Sequence, residues 1–359
     1  MDLALLEDTL AAHGEPAYRT GQVWGWASRG VSSYREMTNV PSALRETLAE
    51  TVPFSTLEVA TEARSRDGTV KALFRTHDAH PVEAVLMTYR DGRRSICVSS
   101  QSGCPLTCTF CATGQMRFGR NLTASEILDQ ALHFVRMLRK PVQRDAAASG
   151  SRPASAEPGS ARQEPSPPGG LTHCVFMGMG EPMLNLDPVI AAARRLPDAG
   201  ITHRRTTVST VGWLPGLERF VSEVEEPIRL ALSLHAPNDA LRSTVMPVND
   251  RYPLRAVLAE CERYFELRGR KVFVEYVMLA GVNDRVEQAM ELAALLDRRI
   301  YKVNLIPYNP TGAHTGSSRD AIAAFKAVLD RARLPATVRL TRGRDIDAAC
   351  GQLAARRAA

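Results

Sequence analysis

Three cysteines lie close together on a segment that the sequence predicts to be a loop. The run Cys104-Pro-Leu-Thr-Cys108-Thr-Phe-Cys111 is a C-x3-C-x2-C pattern. Thiolates at this spacing can bind three irons of a cubane iron–sulfur cluster and leave the fourth iron open to bind another molecule. A zinc site is the alternative, but structural zinc sites use four protein ligands, and no second Cys-x-x-Cys or His-x3-His pair occurs in the chain. The pattern therefore favours an iron–sulfur centre.

The remaining four cysteines carry weaker individual signals. The chain has seven cysteines, an odd number without an export signal, which argues against a disulfide framework and favours metal or thiol chemistry. Cys97 falls in a β-prone run, where a single cysteine is most often a small buried residue. We expect Cys174 and Cys261, within a predicted strand and a predicted helix, to be buried and unreactive. Cys350 lies in a polar, glycine-bounded segment that does not suit a core residue.

Short apolar strands alternate with amphipathic helices from residue 96 onward. We predict strands at 96–100, 172–177, 206–210, 228–234, 272–278, 303–306 and 337–340, and helices that include 125–140, 188–196, 254–267, 284–298 and 319–333. This alternation indicates parallel βα units with handed crossovers. The predicted fold class is α/β, a partial (β/α)6 TIM-like barrel with a small N-terminal helical accessory domain.

Polar residues follow several of these predicted strands directly. The C-terminal ends of parallel strands share one rim of a barrel, where the chemistry of such folds is found. We expect on that rim the three clustered cysteines, Gly178 to Pro182, Ser209 and Thr210, Ser233 to His235, and Pro307 to Pro310. The sequence therefore predicts one site where these segments converge.

Five motifs, in order along the chain, resemble those of a known enzyme family. The C-x3-C-x2-C pattern with an aromatic residue before its last cysteine resembles the radical S-adenosylmethionine (SAM) superfamily. The wider set is similar to the radical SAM methyltransferases that act on adenine carbon 2 of 23S rRNA and of tRNA. Its members here are CVSSQSGC at 97–104, GMGEP at 178–182, SLHAPN at 233–238, VNLIPYNP at 303–310 and RGRDIDAACGQL at 342–353.

This resemblance implies a 4Fe–4S cluster held by Cys104, Cys108 and Cys111, and two SAM molecules per turnover. In the family the open iron binds the amino and carboxyl groups of SAM, and one electron cleaves SAM to a 5′-deoxyadenosyl radical. A Gly-Glu-Pro loop takes the SAM amino group in the family. The residues implied to line the SAM site are Gly180, Glu181, Ser209, Ser233, Leu234, His235 and Asn309. By itself, His235 would more often be a structural histidine.

The resemblance also implies a pair of working thiols. Cys350 takes a methyl group from one SAM, and a radical made from a second SAM converts that group into one that adds to adenine. Cys97 then attacks the Cys350 sulfur, which frees the methylated base and leaves a Cys97–Cys350 disulfide for an outside reductant to reopen. Glu83 matches the proton acceptor of the family.

We expect three regions along the chain. Residues 1–75 form the helical accessory domain, with helices at 2–12, 16–28 and 42–51, and strand-rich sequence begins at about residue 70. Residues 76–345 form the radical SAM partial barrel, and residues 346–359 form the catalytic-cysteine loop and a short basic tail. Within the barrel, the segment 141–170 is rich in proline, glycine and serine and poor in large aliphatic residues, which predicts a flexible insertion. Neither this insertion nor so short a tail belongs to the family pattern.

The charge distribution permits a nucleic-acid partner without requiring one. Forty-five Lys and Arg against 39 Asp and Glu give a formal net charge of +6. Near Cys350 lie several arginines, which suit contact with RNA phosphates, although a solvated charged tail is the alternative. They are Arg339, Arg342, Arg344, Arg356 and Arg357. The sequence has no apolar run near the ~18 residues of a membrane-spanning helix, and its acidic N-terminus is unlike a targeting peptide, so we expect a cytoplasmic protein without membrane contact.

The resemblance implies 23S rRNA and tRNA as partners, an electron donor such as a flavodoxin or ferredoxin, and a monomeric enzyme. Two alternatives remain open from the residues. One is the related antibiotic-resistance enzyme that methylates carbon 8 of the same adenine. The other is a non-catalytic metal-binding protein that binds RNA or senses redox state.

Overall fold

The computed structural model describes residues 1–139 and 170–354, so nearly all of the segment 141–170, together with Arg356 and Arg357, lies outside the described residues. The chain begins with helices α1 (Leu3–Ala12), α2 (Tyr18–Ser28) and α3 (Ser42–Thr51). Helix α1 starts at this point because the Asp2 carboxylate accepts hydrogen bonds from the first free backbone N–H groups. All three helices lie within two residues of their predicted bounds.

Three antiparallel strands follow these helices. They are β1 (Leu57–Arg64), β2 (Val70–Thr76) and β3 (Pro81–Thr88), and β3 pairs antiparallel with β4 (Arg94–Cys97). Strand structure thus begins at residue 57, earlier than the expected residue 70 and within the stretch assigned to the helical accessory domain. The sequence does not show β1 because it is an edge strand whose side chains are mostly exposed, so it lacks an apolar–polar alternation.

The parallel part of the sheet has the predicted partial-barrel architecture. Strands β5 (Gln101–Ser102) and β6 (Arg120–Asn121) form a separate two-stranded sheet. In the main sheet, β4 is followed by six strands parallel to it, in the order β4-β7-β8-β9-β10-β11-β12. These are β7 (His173–Phe176), β8 (Thr206–Thr210), β9 (Arg229–Ser233), β10 (Val272–Met278), β11 (Tyr301–Pro307) and β12 (Ala336–Val338). With β1 to β3 they make a single ten-stranded sheet.

Helices connect the parallel strands and cover the sheet. They are α4 (Ala124–Arg139), α5 (Leu186–Arg195), α6 (Leu214–Glu223), α7 (Asp239–Val245), α8 (Leu254–Arg268), α9 (Val286–Leu295) and α10 (Arg319–Arg331). Helices α6 and α7 were not among the predicted ones, because α6 opens with Leu-Pro-Gly, a sequence typical of loops, and α7 has only seven residues. In the described ranges, no helix is long and apolar enough to cross a membrane.

The main core lies between the sheet and these helices. In the central strand β9, Leu230, Ala231 and Leu232 are all fully buried. Burial of both faces explains why this strand appears in the sequence as a continuous apolar run. The polar residues that end or follow the parallel strands are thereby placed along one edge of the sheet, as the sequence predicts.

Candidate active site

A cavity of about 960 Å³, including its open mouth, lies at the C-terminal edge of the parallel strands. Clefts that open at this edge of a parallel sheet are where small-molecule ligands commonly bind. The predicted site residues in its wall come from separate segments of the chain. They are Cys104, Cys108, Cys111, Gly180, Glu181, Ser209, Ser233, His235 and Cys350.

The three clustered thiols enter this cavity from one tightly folded loop. The loop is fixed to helix α7 by a hydrogen bond from the Thr109 N–H to the Val245 carbonyl (3.0 Å), and the Thr109 hydroxyl contacts the His314 ring nitrogen Nε2 at 2.8 Å. Gly114 lies so close to the loop that a β-carbon there would be 2.8 Å from the Leu106 carbonyl oxygen. Burial raises the pKa of Cys108, and the neighbouring cluster thiols raise it further.

The three cluster thiols suit a cubane cluster, because they line one cavity. In the described part of the chain, no group of three or more His, Cys, Asp or Glu side chains is arranged to hold one metal ion. A cubane cluster bonds each thiolate to a different iron, so its ligands surround a volume and need not converge on a point. A cavity walled by three thiols provides that volume.

Glu181 projects into the same cavity from the loop after β7. The carboxylate accepts hydrogen bonds from Met183 N (3.0 Å) and Val211 N (3.0 Å), which hold it in one orientation. Burial raises its pKa to about 7, against the lowering effect of these hydrogen bonds. A buried carboxylate of this kind suits a cationic ligand group. The loop approaches Gln101, whose Oε1 accepts the Glu181 N–H at 2.9 Å.

Strands β8 and β9 contribute hydroxyl groups to the cavity wall, and His235 follows β9. The Ser209 and Ser233 hydroxyl oxygens are 3.4 Å apart. His235 Nδ1 accepts the Val277 N–H at 3.0 Å, and burial lowers the pKa of this imidazole to about 3, so the ring is neutral. Leu234 differs from its neighbours because its side chain packs in the main core, which leaves only its backbone near the rim.

Cys350 lies where the large cavity meets a second one of about 480 Å³. The Cys97 thiol is in the wall of the second cavity, so the structure brings the two predicted working thiols to the same place. Asn309 is also in this wall, where its amide donates to the Cys350 carbonyl at 3.1 Å. Burial raises the pKa of Cys97, and the nearby Cys350 thiolate would raise it further.

Arg339 lines both cavities beside the two thiols. Its pKa is raised above the usual range, most strongly by a Cys350 thiolate and then by Glu275, whose carboxylate is 3.7 Å from the guanidinium. We expected Arg339 to contact RNA phosphates, and this stays a prediction; its side chain is 22 % exposed and lies in the walls of the two cavities. Glu275 was not among the predicted site residues, although a single carboxylate in the apolar strand VFVEYVM was a usable signal.

Glu83 is absent from the residues that line the two cavities. It is fully buried on β3, where its carboxylate is 3.1 Å from Lys71 Nζ and accepts the Ala354 N–H at 2.9 Å. Two other arginines were predicted to contact RNA phosphates. Arg342 packs over the Tyr89 ring at 5.0 Å and donates to the Asp67 carbonyl, while Arg344 is exposed. Cys174 and Cys261 are buried, as expected.

Known proteins similar to this chain cover nearly all of its length. Residues 164–293 match the radical SAM superfamily, and residues 1–53 match the ribosomal RNA large subunit methyltransferase N-terminal domain. The chain is 42 % identical to the dual-specificity RNA methyltransferase RlmN of Anaeromyxobacter sp. (strain Fw109-5), over 99 % of this chain and 89 % of that protein. It is 44 % identical to a probable dual-specificity RNA methyltransferase RlmN of Gemmatimonas aurantiaca, over 98 % of this chain and 90 % of the relative.

A solved structure resembles the whole chain as well. The crystal structure of a radical SAM methyltransferase from Sphaerobacter thermophilus superposes with a TM-score of 0.84 at 42 % sequence identity. The alignment covers 99 % of this chain and 98 % of the other. The similarity therefore includes the helices, the antiparallel strands and the barrel together.

Proposed function

This chain belongs to the dual-specificity RNA methyltransferases of the radical SAM superfamily, and we propose that it methylates carbon 2 of an adenine in 23S rRNA and in tRNA. As a member of this family it is an enzyme that uses SAM and a 4Fe–4S cluster, and its substrate is RNA. The comparisons confirm the family that the sequence motifs resemble. Membership of this enzyme family excludes the alternative of a non-catalytic metal-binding protein. The carbon-2 position follows from the motif resemblance.

The observation that carries the proposal is the position of Cys350 at the junction of the two cavities. One cavity contains the three cluster thiols, Glu181 and the serine hydroxyls, and the other contains Cys97. A thiol at that junction can receive a group from a ligand on one side and pass it to a base on the other. The resolving thiol is then already beside the sulfur that it must attack.

The chemistry of the target explains why such a thiol is needed. Carbon 2 of adenine lies between two ring nitrogens and is electron-poor, so it is a poor acceptor for a methyl cation. When bound, SAM and the cluster supply the methyl group and the radical that activates it. Cys350 holds the methyl carbon, and the Arg339 guanidinium lies beside this thiol in the walls of both cavities. A thiolate is the form of cysteine that takes up a methyl group by nucleophilic displacement.

Release of the product uses the second thiol. The Cys97 sulfur forms a bond to the Cys350 sulfur, while the bond from Cys350 to the methyl carbon breaks. The electron pair of the broken bond stays with the carbon, which takes up a proton, and the protein keeps a disulfide that an outside reductant reopens. This disulfide is part of the proposal.

Seven residues are proposed to contact SAM. Glu181 would accept from its amino group, because the carboxylate is buried and oriented in the cavity. Leu234 would contribute through its backbone, because its side chain is in the core. The others are Gly180, Ser209, Ser233, His235 and Asn309. Cys104, Cys108 and Cys111 are proposed to hold the cluster.

Glu83 remains the proposed proton acceptor. In the described arrangement the C-terminal segment covers this carboxylate, so acceptance of a proton from the base requires that segment to move. We also propose the division into an accessory region at 1–75, a barrel at 76–345 and a C-terminal region at 346–359. An electron donor such as a flavodoxin or ferredoxin, a monomeric state and a cytoplasmic location complete the proposal.

The proposal is tested by following the methyl group through Cys350. Reconstituted enzyme is incubated with methyl-labelled SAM and reductant, and the peptide that contains Cys350 is examined by mass spectrometry before and after RNA is added. We expect label on Cys350 first and on RNA afterwards. Cys350→Ala should transfer no methyl group, whereas Cys174→Ala, which alters a buried thiol in the main core, should remain active. Methyl transfer by Cys350→Ala at the wild-type rate would contradict the proposal.

A further inference from the structure

The segment Asp347–Ala354, which carries Cys350, is attached at both ends to the antiparallel strands β2 and β3. Lys71 Nζ on β2 donates to the Asp347 carbonyl at 3.2 Å. Glu83 on β3 accepts the Ala354 N–H at 2.9 Å. Lys71 and Glu83 themselves form an ion pair at 3.1 Å. One pair of side chains therefore holds the segment on both sides of Cys350.

Strand register explains how these groups meet. Lys71 lies opposite Val85, and Leu73 lies opposite Glu83, so Lys71 and Glu83 are diagonal neighbours on one face of the sheet. Val85 in turn lies opposite Cys97 on β4. The same face thus carries the ion pair and the resolving thiol. Ala348 and Leu353 of the segment pack on this face in a small apolar cluster with Val85 and Cys97.

The ion pair is buried, unlike most ion pairs among the described residues. The side chain of Lys71 is 8 % exposed and that of Glu83 is 0 % exposed. A buried pair is stable only where further hydrogen bonds satisfy both groups, because desolvation of two charges is costly. The backbone groups of Asp347 and Ala354 supply such bonds. Docking of the segment and burial of the pair are therefore one event.

The middle of the segment is attached to the cavities by other contacts. Ala112, next to the last cluster cysteine, donates its N–H to the Gly351 carbonyl at 2.8 Å, and the Thr113 hydroxyl donates to the Leu353 carbonyl at 2.6 Å. These bonds hold the middle of the segment against the loop that carries the cluster cysteines. The Lys71–Glu83 pair holds the two ends of the same segment against β2 and β3.

From these contacts we infer that Lys71 is a positioning residue for Cys350, and that Lys71 and Glu83 together form a clamp that docks the segment Asp347–Ala354. The inference rests on the proposed role of Cys350. Glu83 cannot accept a proton from the base while the segment Asp347–Ala354 is docked, because its carboxylate is then buried and binds the Ala354 N–H. Opening of the clamp exposes Glu83 and releases Cys350 in the same movement.

Hydrogen exchange tests the clamp independently of catalysis. The N–H groups of Ala348, Gln352 and Ala354 are all hydrogen bonded in the docked segment, so their exchange rates report its opening. In the reconstituted holoenzyme, Lys71→Met should raise exchange across 347–354 at least tenfold. The matched control is Lys271→Met, since Lys271 also donates to a backbone carbonyl (2.7 Å) but at an exposed site. The control should exchange as the wild type does.

Two further variants separate positioning from folding. Lys71→Arg keeps the charge and the donor and should largely restore protection of the segment. The double variant Lys71→Gln with Glu83→Gln removes both buried charges, so it should fold even if Lys71→Met does not, and we expect its segment to exchange faster than in the wild type. Exchange in 347–354 within twofold of the wild type, in Lys71→Met or in the double variant, would overturn the clamp.

The rate at which labelled SAM methylates Cys350 gives a second readout. It should fall in Lys71→Met while the iron content is unchanged. If the wild type itself places no methyl group on Cys350, the proposed function fails, but faster exchange in the variants still supports the clamp as a docking device. The two failures are therefore distinguishable.

Discussion

Replacement of Gly180 by alanine tests how the SAM-facing loop is built. Gly180 has φ = +98°, and a β-carbon there would lie 2.5 Å from the Gln101 β-carbon and 2.7 Å from its Oε1. The Gln101 β-carbon is fixed by the backbone of β5, so this contact cannot be relieved by rotating the end of the side chain. The loop or β5 must move.

The cost has two parts. Backbone strain at a positive φ contributes on the order of 1–3 kcal/mol. The clash also separates Gln101 from its partners, the Glu181 N–H (2.9 Å) and Asn121 Oδ1 (2.7 Å). Two lost hydrogen bonds, one of which leaves a buried donor unsatisfied, cost about 2–4 kcal/mol more. The Glu181 carboxylate moves together with its backbone N–H. We therefore expect the free energy of SAM binding to become less favourable by roughly 1.4 kcal/mol or more, which is a tenfold or greater loss of affinity.

The assay is a SAM titration by calorimetry on reconstituted protein, combined with thermal unfolding. Gly281→Ala is the matched control, because Gly281 has φ = +71° and a β-carbon there meets nothing within 4 Å. That control should lose about 1–2 kcal/mol of stability from strain alone and bind SAM normally. If Gly180→Ala binds SAM within twofold of the wild type, the Gly180–Gln101 contact does not hold Glu181 in its SAM-binding position.

Three further outcomes are expected at the cluster and the thiol pair. Cys108→Ser should lose bound iron and the brown colour of an anaerobic preparation, whereas Cys261→Ser should keep both. A brown Cys108→Ser protein with its full iron content would count against Cys108 as a cluster ligand. Cys97→Ala should accumulate RNA joined covalently to Cys350, as seen on denaturing gels, and RNA-free enzyme that turns over repeatedly would remove Cys97 from the mechanism. Arg339→Met should slow methylation of Cys350 about tenfold or more, because it removes the guanidinium beside both thiols and leaves the buried Glu275 carboxylate without this ion pair, while Arg339→Lys should be less affected; equal rates in the wild type and Arg339→Met would exclude a role of Arg339 in this step.

Local spacing and strand periodicity made much of the fold predictable. The cluster cysteines lie within one loop, so their sequence spacing already limits their geometry. The central parallel strands β8, β9 and β10 are largely buried and are visible as apolar runs, and polar residues at the strand ends identify the rim. Edge strand β1 was not predictable in this way, because its side chains face solvent.

The finer arrangement of the site depends on long-range contacts that no local pattern encodes. Cys97 and Cys350 could be paired only through resemblance, since the sheet register and the C-terminal segment together bring them to one cavity. The proximity of Arg339 to Glu275 and to the two thiols also depends on long-range packing, and the sequence showed only that this arginine lies near Cys350 along the chain. Lys71 gave no sequence signal, because its role arises from packing of a distant segment on β2.

The identity of the methylated nucleoside decides whether this enzyme acts on carbon 2 of adenine. 23S rRNA and tRNA are incubated with reconstituted enzyme, SAM and reductant, digested to nucleosides and compared with standards by mass spectrometry. We expect 2-methyladenosine. Recovery of 8-methyladenosine in its place, or of no methylated adenosine from enzyme that cleaves SAM, would rule out the proposed carbon-2 activity.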